Sequence, residues 1–115
     1  MSVTTREYVS HTLFSTAAAL TAGFTSTSIN RDFMHGYCIA ANITVNTTTS
    51  SVVMSIEASI DGSSYKGIDG STTTVSSTGM TMWEYQNPFH SYARVLCTAT
   101  TANFNATITA RSVEL

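Results

Sequence analysis

The run Gly36-Tyr37-Cys38-Ile39-Ala40-Ala41-Asn42-Ile43-Thr44-Val45 decides the fold class. In an extended chain Tyr37, Ile39, Ala41, Ile43 and Val45 share one side, and Cys38, Ala40, Asn42 and Thr44 share the other. A period of two with one apolar face marks a half-buried strand. Asn46 to Ser51 follows as a polar turn. From Val52 to Ile60 the alternation returns, with Val52, Met54, Ile56, Ala58 and Ile60 facing one way and Ser55, Glu57 and Ser59 the other. Asp61-Gly62 closes this strand with a pair that tolerates positive φ. Asp69-Gly70 repeats the signal and frames a short strand around Tyr65 to Ile68.

The same grammar runs to the carboxyl end. Thr72 to Ser76 is β-branched, Met80 to Tyr85 resumes after Thr78-Gly79, and Asn87-Pro88 is a turn. Tyr92 to Thr100 puts Ala93, Val95, Cys97 and Ala99 on one face; Phe104 to Val113 does so with Phe104, Ala106, Ile108 and Ala110. Ser10 to Phe14 and Thr25 to Asn30 add one or two strands, and only segment 13–22, with its Ala triplet, has any helical character. About seven or eight short strands joined by tight turns predict an all-β, single-domain antiparallel β-sandwich or jelly roll over residues 1–115. Residues 1–12 show no core pattern and read as a mobile or docking arm.

Composition narrows the function. Of 115 residues, 16 are Ser and 21 are Thr, while only 10% are charged and the net charge is −2. Five Lys and Arg in total are too few to face a phosphate backbone or an anionic lipid surface, so neither nucleic acid nor membrane is an expected partner. No apolar run approaches the roughly 20 residues of a helical span. Residues 13–24 have the outline of a signal-peptide core, but Ser and Thr interrupt it and Glu7 offsets Arg6, so cleavage is not expected. A surface of hydroxyls, amides and small apolar groups is cheap to desolvate, which suits packing against copies or a large partner.

No catalytic or metal constellation emerges. His11, His35 and His90 lack ligand spacing, and there is no Gly-rich phosphate loop, nucleophile elbow or EF-hand pattern. A pair of acids distant in the chain, as glycoside hydrolysis uses, stays open. No cofactor is expected, and the chain reads as a non-enzyme. Cys38 and Cys97 lie in differently patterned strands and read as free thiols. The most suggestive stretch is Trp83-Glu84-Tyr85-Gln86-Asn87-Pro88-Phe89-His90. Its aromatics Trp83, Tyr85 and Phe89 are candidate partner-binding residues, able to anchor a protein or stack on a sugar. Against this, Trp83 and Tyr85 point the same way along a strand and would equally close the core.

Ser59-Ile60-Asp61-Gly62-Ser63-Ser64-Tyr65 resembles the S-x-D-G-x-x-aromatic turn of small virion proteins of tailed bacteriophages. In that family a later strand reads aromatic-x-R-V, here Tyr92-Ala93-Arg94-Val95, followed by a Thr-rich hairpin at Thr98 to Asn103 and a final alternating strand. Tyr65 stands where the family usually has Trp. The resemblance covers residues 36–113 and implies a β-sandwich structural protein located in the virion and assembled in the host cytoplasm. A capsid decoration or cement protein binding across neighbouring shell subunits is the leading expectation, with a tail or head–tail connector component as the alternative. The implied partners are the major capsid protein or other virion proteins, together with further copies in a homo-oligomer, a trimer being favoured. A carbohydrate-binding module built on the aromatics near Trp83 is the alternative of another class.

Overall fold

A computed structural model describes residues 7–16, 20–30, 34–46, 52–86, 88–99 and 103–114. The fold is all-β: β1 (Glu7–Ser15), β2 (Phe24–Thr25), β3 (Ile29–Asn30), β4 (Met34–Val45), β5 (Val52–Ser59), β6 (Lys66–Gly67), β7 (Thr73–Val75), β8 (Gly79–Gln86), β9 (Tyr92–Ala99) and β10 (Phe104–Glu114). These form two antiparallel sheets. Sheet A runs β1-β10-β4-β8. Sheet B is centred on β9 and β5, with β2 and β3 along the outside of β9 and β6 and β7 along the outside of β5. The strand number exceeds expectation because both edges of sheet B are broken into pieces of two or three residues. No helix of the described residues is long and apolar enough to cross a membrane. The helical character expected in segment 13–22 gives way to β1 and a bridge between Leu20 and Phe104. Of the arm expected at residues 1–12, Glu7 to Thr12 pair with β10, and residues 1–6 lie outside the described residues.

The alternating faces meet in one core. Ile39, Ala41 and Ile43 of β4 join Phe104, Ala106 and Ile108 of β10 on the inside of sheet A; Val52, Met54 and Ile56 of β5 join Ala93, Val95 and Cys97 on the inside of sheet B. Cys97 faces this core, while Cys38 lies on the outer face of sheet A, so the two thiols point into different environments and both are free.

Where the edge strands of sheet B break, serine hydroxyls continue the ladder. Ile56 and Val95 face each other across β5 and β9, and both turn their amide groups outward. On one flank Ser71 Oγ accepts from the Ile56 N–H at 3.0 Å, and the Ile68 N–H donates to the Ile56 carbonyl at 2.8 Å. On the other, Ser26 Oγ accepts from the Val95 N–H at 2.8 Å, and the Ser26 N–H donates to the Val95 carbonyl at 2.9 Å. Both serines are buried. Each fills the gap between two short strands, so no buried amide of the central pair goes without a partner.

Candidate interaction surface

The turn after β5 is built by its own side chains. Asp61 Oδ1 accepts from the Ser63 and Ser64 N–H groups at 2.8 and 2.9 Å and from the Ser59 hydroxyl at 2.9 Å. Ser59 Oγ in turn accepts from the Gly62 N–H at 2.9 Å. The two backbone donors, then the Ser59 hydroxyl, hold the Asp61 carboxyl at about 2, below its usual 3.8. Gly62 sits at φ 79°, and a Cβ there would come within 3.1 Å of the Tyr92 ring, so Gly serves both the backbone and the close approach. The Arg94 guanidinium lies 3.7 Å from the centre of the Tyr65 ring, and its Nε donates to Glu57 Oε1 at 2.9 Å. Tyr65 also shares a hydrogen bond with the Ser28 hydroxyl. The two motifs that the sequence separates by about thirty residues therefore pack on one another, with Ser59 paired to Tyr92.

This scaffold fixes a neighbouring loop. The Ser91 N–H donates to the Ser59 carbonyl at 3.0 Å, which sets the β8–β9 connection beside the β5–β6 turn. His90 Nε2 and the Tyr37 hydroxyl are 2.5 Å apart, and Tyr85 packs on both rings, tilted on Tyr37 and edge-on to His90. Burial pushes the Tyr85 hydroxyl above its usual value of 10.0. At the tips of the two loops Ile60 is 79% exposed and Phe89 is wholly exposed. An open pocket of about 450 Å³ lies alongside, with Ile60, Ile68 and Ala58 as its apolar wall and Asp61, Ser64, Lys66 and His90 among its polar groups. Among the described residues no three His, Cys, Asp or Glu side chains gather as metal ligands.

The three candidate aromatics thus occupy three environments. Phe89 projects into solvent, Tyr85 is half-buried beneath the same loop, and Trp83 is buried in the core. The Trp83 indole N–H donates to the Ser71 carbonyl at 2.8 Å, so its ring offers no open face for stacking. Alternation places Ile60 on the core face, yet β5 ends at Ser59 and the turn throws Ile60 outward. The signal for this was present: Asp61-Gly62 follows Ile60 directly, leaving no strand for it to belong to.

No family model matches the chain, and no curated protein matches it. Similarity to solved structures is extensive in shape and slight in sequence. The chain superimposes on the SPBc2 prophage-derived protein YomS with a TM-score of 0.67 at 12% identity, covering 99% of each chain. On the PBSX exported protein XepA the TM-score is 0.61 at 13% identity, covering 92% of this chain and 37% of that one. On a chain from the infectious bursal disease virus Gx strain structure it is 0.56 at 9% identity, over 95% of this chain and 32% of that one. The shared property is the two-sheet antiparallel sandwich, in neighbours that include prophage-derived and viral proteins.

Proposed function

We propose that this chain is a non-enzymatic structural component of a phage virion, most specifically a capsid decoration or cement protein that binds across neighbouring shell subunits. The observation that carries this reading is the loop end, where Ile60 and Phe89 project from turns fixed by Asp61 and Ser59. Two exposed apolar anchors on a rigid base are what a docking contact requires, since little conformational freedom is lost on binding. The partner is the major capsid protein or another virion protein, and Phe89 with the Tyr85 beneath it forms the contact. The prophage-derived neighbour YomS, matched over the whole chain, supports the setting. The protein acts as a homo-oligomer, located in the virion after assembly in the host cytoplasm. The test compares particles made with and without this chain by subunit mass spectrometry and by their melting. Hundreds of copies and a raised particle melting temperature support decoration; a handful of copies assigns it to the tail or connector instead.

The pocket beside Ile60 favours one second reading, a carbohydrate-binding module. Asp61, Ser64, Lys66 and His90 offer hydrogen bonds around an apolar wall, the mixture a sugar ring needs. Such a module would use this pocket and Phe89 rather than Trp83. Glycan binding by the purified protein, lost in Lys66→Ala, together with particles lacking the chain, would establish it in place of the virion role.

A further inference from the structure

The two sheets present four outer edges, and three of them are closed to further pairing. Both edges of sheet B consist of two- and three-residue strands. The β1 edge of sheet A carries a bulge between Thr12 and Phe14, and there the Thr27 N–H and hydroxyl both donate to the Leu13 carbonyl, at 3.1 and 2.9 Å. Short strands, bulges and covering loops are the devices that stop a sheet from adding strands. The fourth edge has none of them. β8 runs eight residues in unbroken register with β4, contains no Lys or Pro, and among the described residues pairs with β4 alone. Its outer face shows Met80 and Met82, 58% and 48% exposed, continuous with Ala40 and Cys38 on β4.

We infer that β8 pairs edge to edge with the β8 of a second copy, antiparallel about a two-fold axis at Met82, so that sheet A continues through both molecules. Geometry restricts the register, overlap centres it on Met82 or Trp83, and the exposed Met82 side chains, which gain cover by opposing each other, select Met82. Antiparallel partners must lie on the same face of the joined sheet, so a two-fold axis passes through a residue and not between two. With the axis at Met82 the two Met82 side chains oppose each other, and each Glu84 faces a Met80. Glu84 is the only charged residue of β8, and this register sets no like charges opposite one another, an arrangement that would oppose pairing. Thr81 then meets Trp83 on the inner side, and almost the whole strand overlaps. A three-fold arrangement cannot pair β8 with itself; it would need the bulged and covered β1 edge of the next copy. The homo-oligomer is therefore built from two-fold pairs, where the virion resemblance favours a trimer.

This inference concerns the purified chain and stands apart from the virion reading, which particle composition tests separately. Sedimentation equilibrium of the full chain is expected to give the mass of two chains. Met82→Lys sets two ammonium groups against each other at the axis, and is expected to give a single-chain mass with an unchanged circular dichroism spectrum. Met82 already faces water in the single chain, so the substitution leaves the core untouched. A second variant fixes the register. In a Cys38→Ser background, Met82→Cys is expected to form an intermolecular disulfide on mild oxidation, because directly opposed residues lie within disulfide reach. Thr98→Cys, exposed on the far sheet, is expected to form none in the same background. A single-chain mass for the unaltered protein, a three-chain mass, or a two-chain mass that Met82→Lys leaves intact would each overturn the inference.

Discussion

Removing one serine hydroxyl is expected to destabilise this protein, and removing another to stabilise it. Ser71 and Ser112 are both buried, and each becomes alanine with the loss of one oxygen. Ser71 Oγ is the acceptor for the Ile56 N–H at the centre of β5, and the same hydroxyl donates to the Ile68 carbonyl at 2.7 Å. In Ser71→Ala the Ile68 carbonyl keeps the Ser71 N–H at 3.1 Å, but the Ile56 amide is left buried without an acceptor. An orphaned buried donor costs about 1–3 kcal/mol, so the expected loss is about 2 kcal/mol. For a chain of this length that lowers Tm by about 8 °C. Among the described residues Ser112 Oγ has no hydrogen-bond partner. Ser112→Ala removes a desolvated hydroxyl and is expected to raise stability by about 1 kcal/mol, or about 4 °C in Tm. Urea unfolding and calorimetry on the two variants measure both signs in one series, with Ser71→Thr, which keeps the hydroxyl, as a control. The reasoning is refuted if Ser71→Ala unfolds within about 0.5 kcal/mol of the unaltered chain, the range of an ordinary surface change.

Acid should act partly through Asp61. Its carboxyl is held at about 2 against 3.8, so the stabilisation is complete above pH 3.8 and is lost as pH falls towards 2. Asp61→Asn is expected to flatten the fall of the urea midpoint over that window; an unchanged slope would count against the turn network. Thiol chemistry should separate the cysteines. Half-exposed Cys38 is expected to react with a disulfide reagent in the folded protein, whereas burial pushes Cys97 up to about 11 and keeps it from reagent until the chain unfolds. Equal rates in the folded state would contradict the face assignment. Phe89→Ala is expected to change Tm by no more than the experimental scatter, since the ring touches little of its own chain, while weakening attachment to particles at least tenfold in a pelleting assay.

The core strands were legible because each has one wet face. Where Tyr37, Ile39, Ala41 and Ile43 alternate with hydroxyls, amides and small residues, burial follows the pattern residue by residue. The same holds for Phe104 to Ala110 and for Ala93 to Cys97. What alternation cannot convey is where a strand stops. Ile60 continued the period of β5 but lay beyond its last pairing, and its outward position came from the Asp61 turn. Ser26 and Ser71 look like two of many loop serines, because their task is defined by gaps between strands distant in sequence. Alternation puts Trp83 and Tyr85 on one side of a strand, yet burial depth depends on position along the sandwich: Trp83 reaches Ser71 in the interior, and Tyr85 lies at the end beneath His90. The phage-like motifs predicted a turn and a strand; their meeting through Tyr65 on Arg94 required the fold.

The contrast between the two sheets has a consequence for motion. Sheet A is knitted from four long strands, so releasing any one of them breaks a ladder of eight or more residue pairs. The margins of sheet B are separate short pieces, each with two or three pairs of its own. Such pieces open independently, at a cost far below that of global unfolding, while β5, β9 and the whole of sheet A stay closed. The protein is therefore expected to combine a slow body with fast margins. Amide exchange on β4 and β10 is expected to track complete unfolding, and exchange around Lys66 or Phe24 to report fluctuations of a few residues. The turn that presents Ile60 adjoins one of those fast margins, β6, but the Asp61 and Ser59 bonds belong to the turn itself, so the anchor keeps its place while the margin beside it opens.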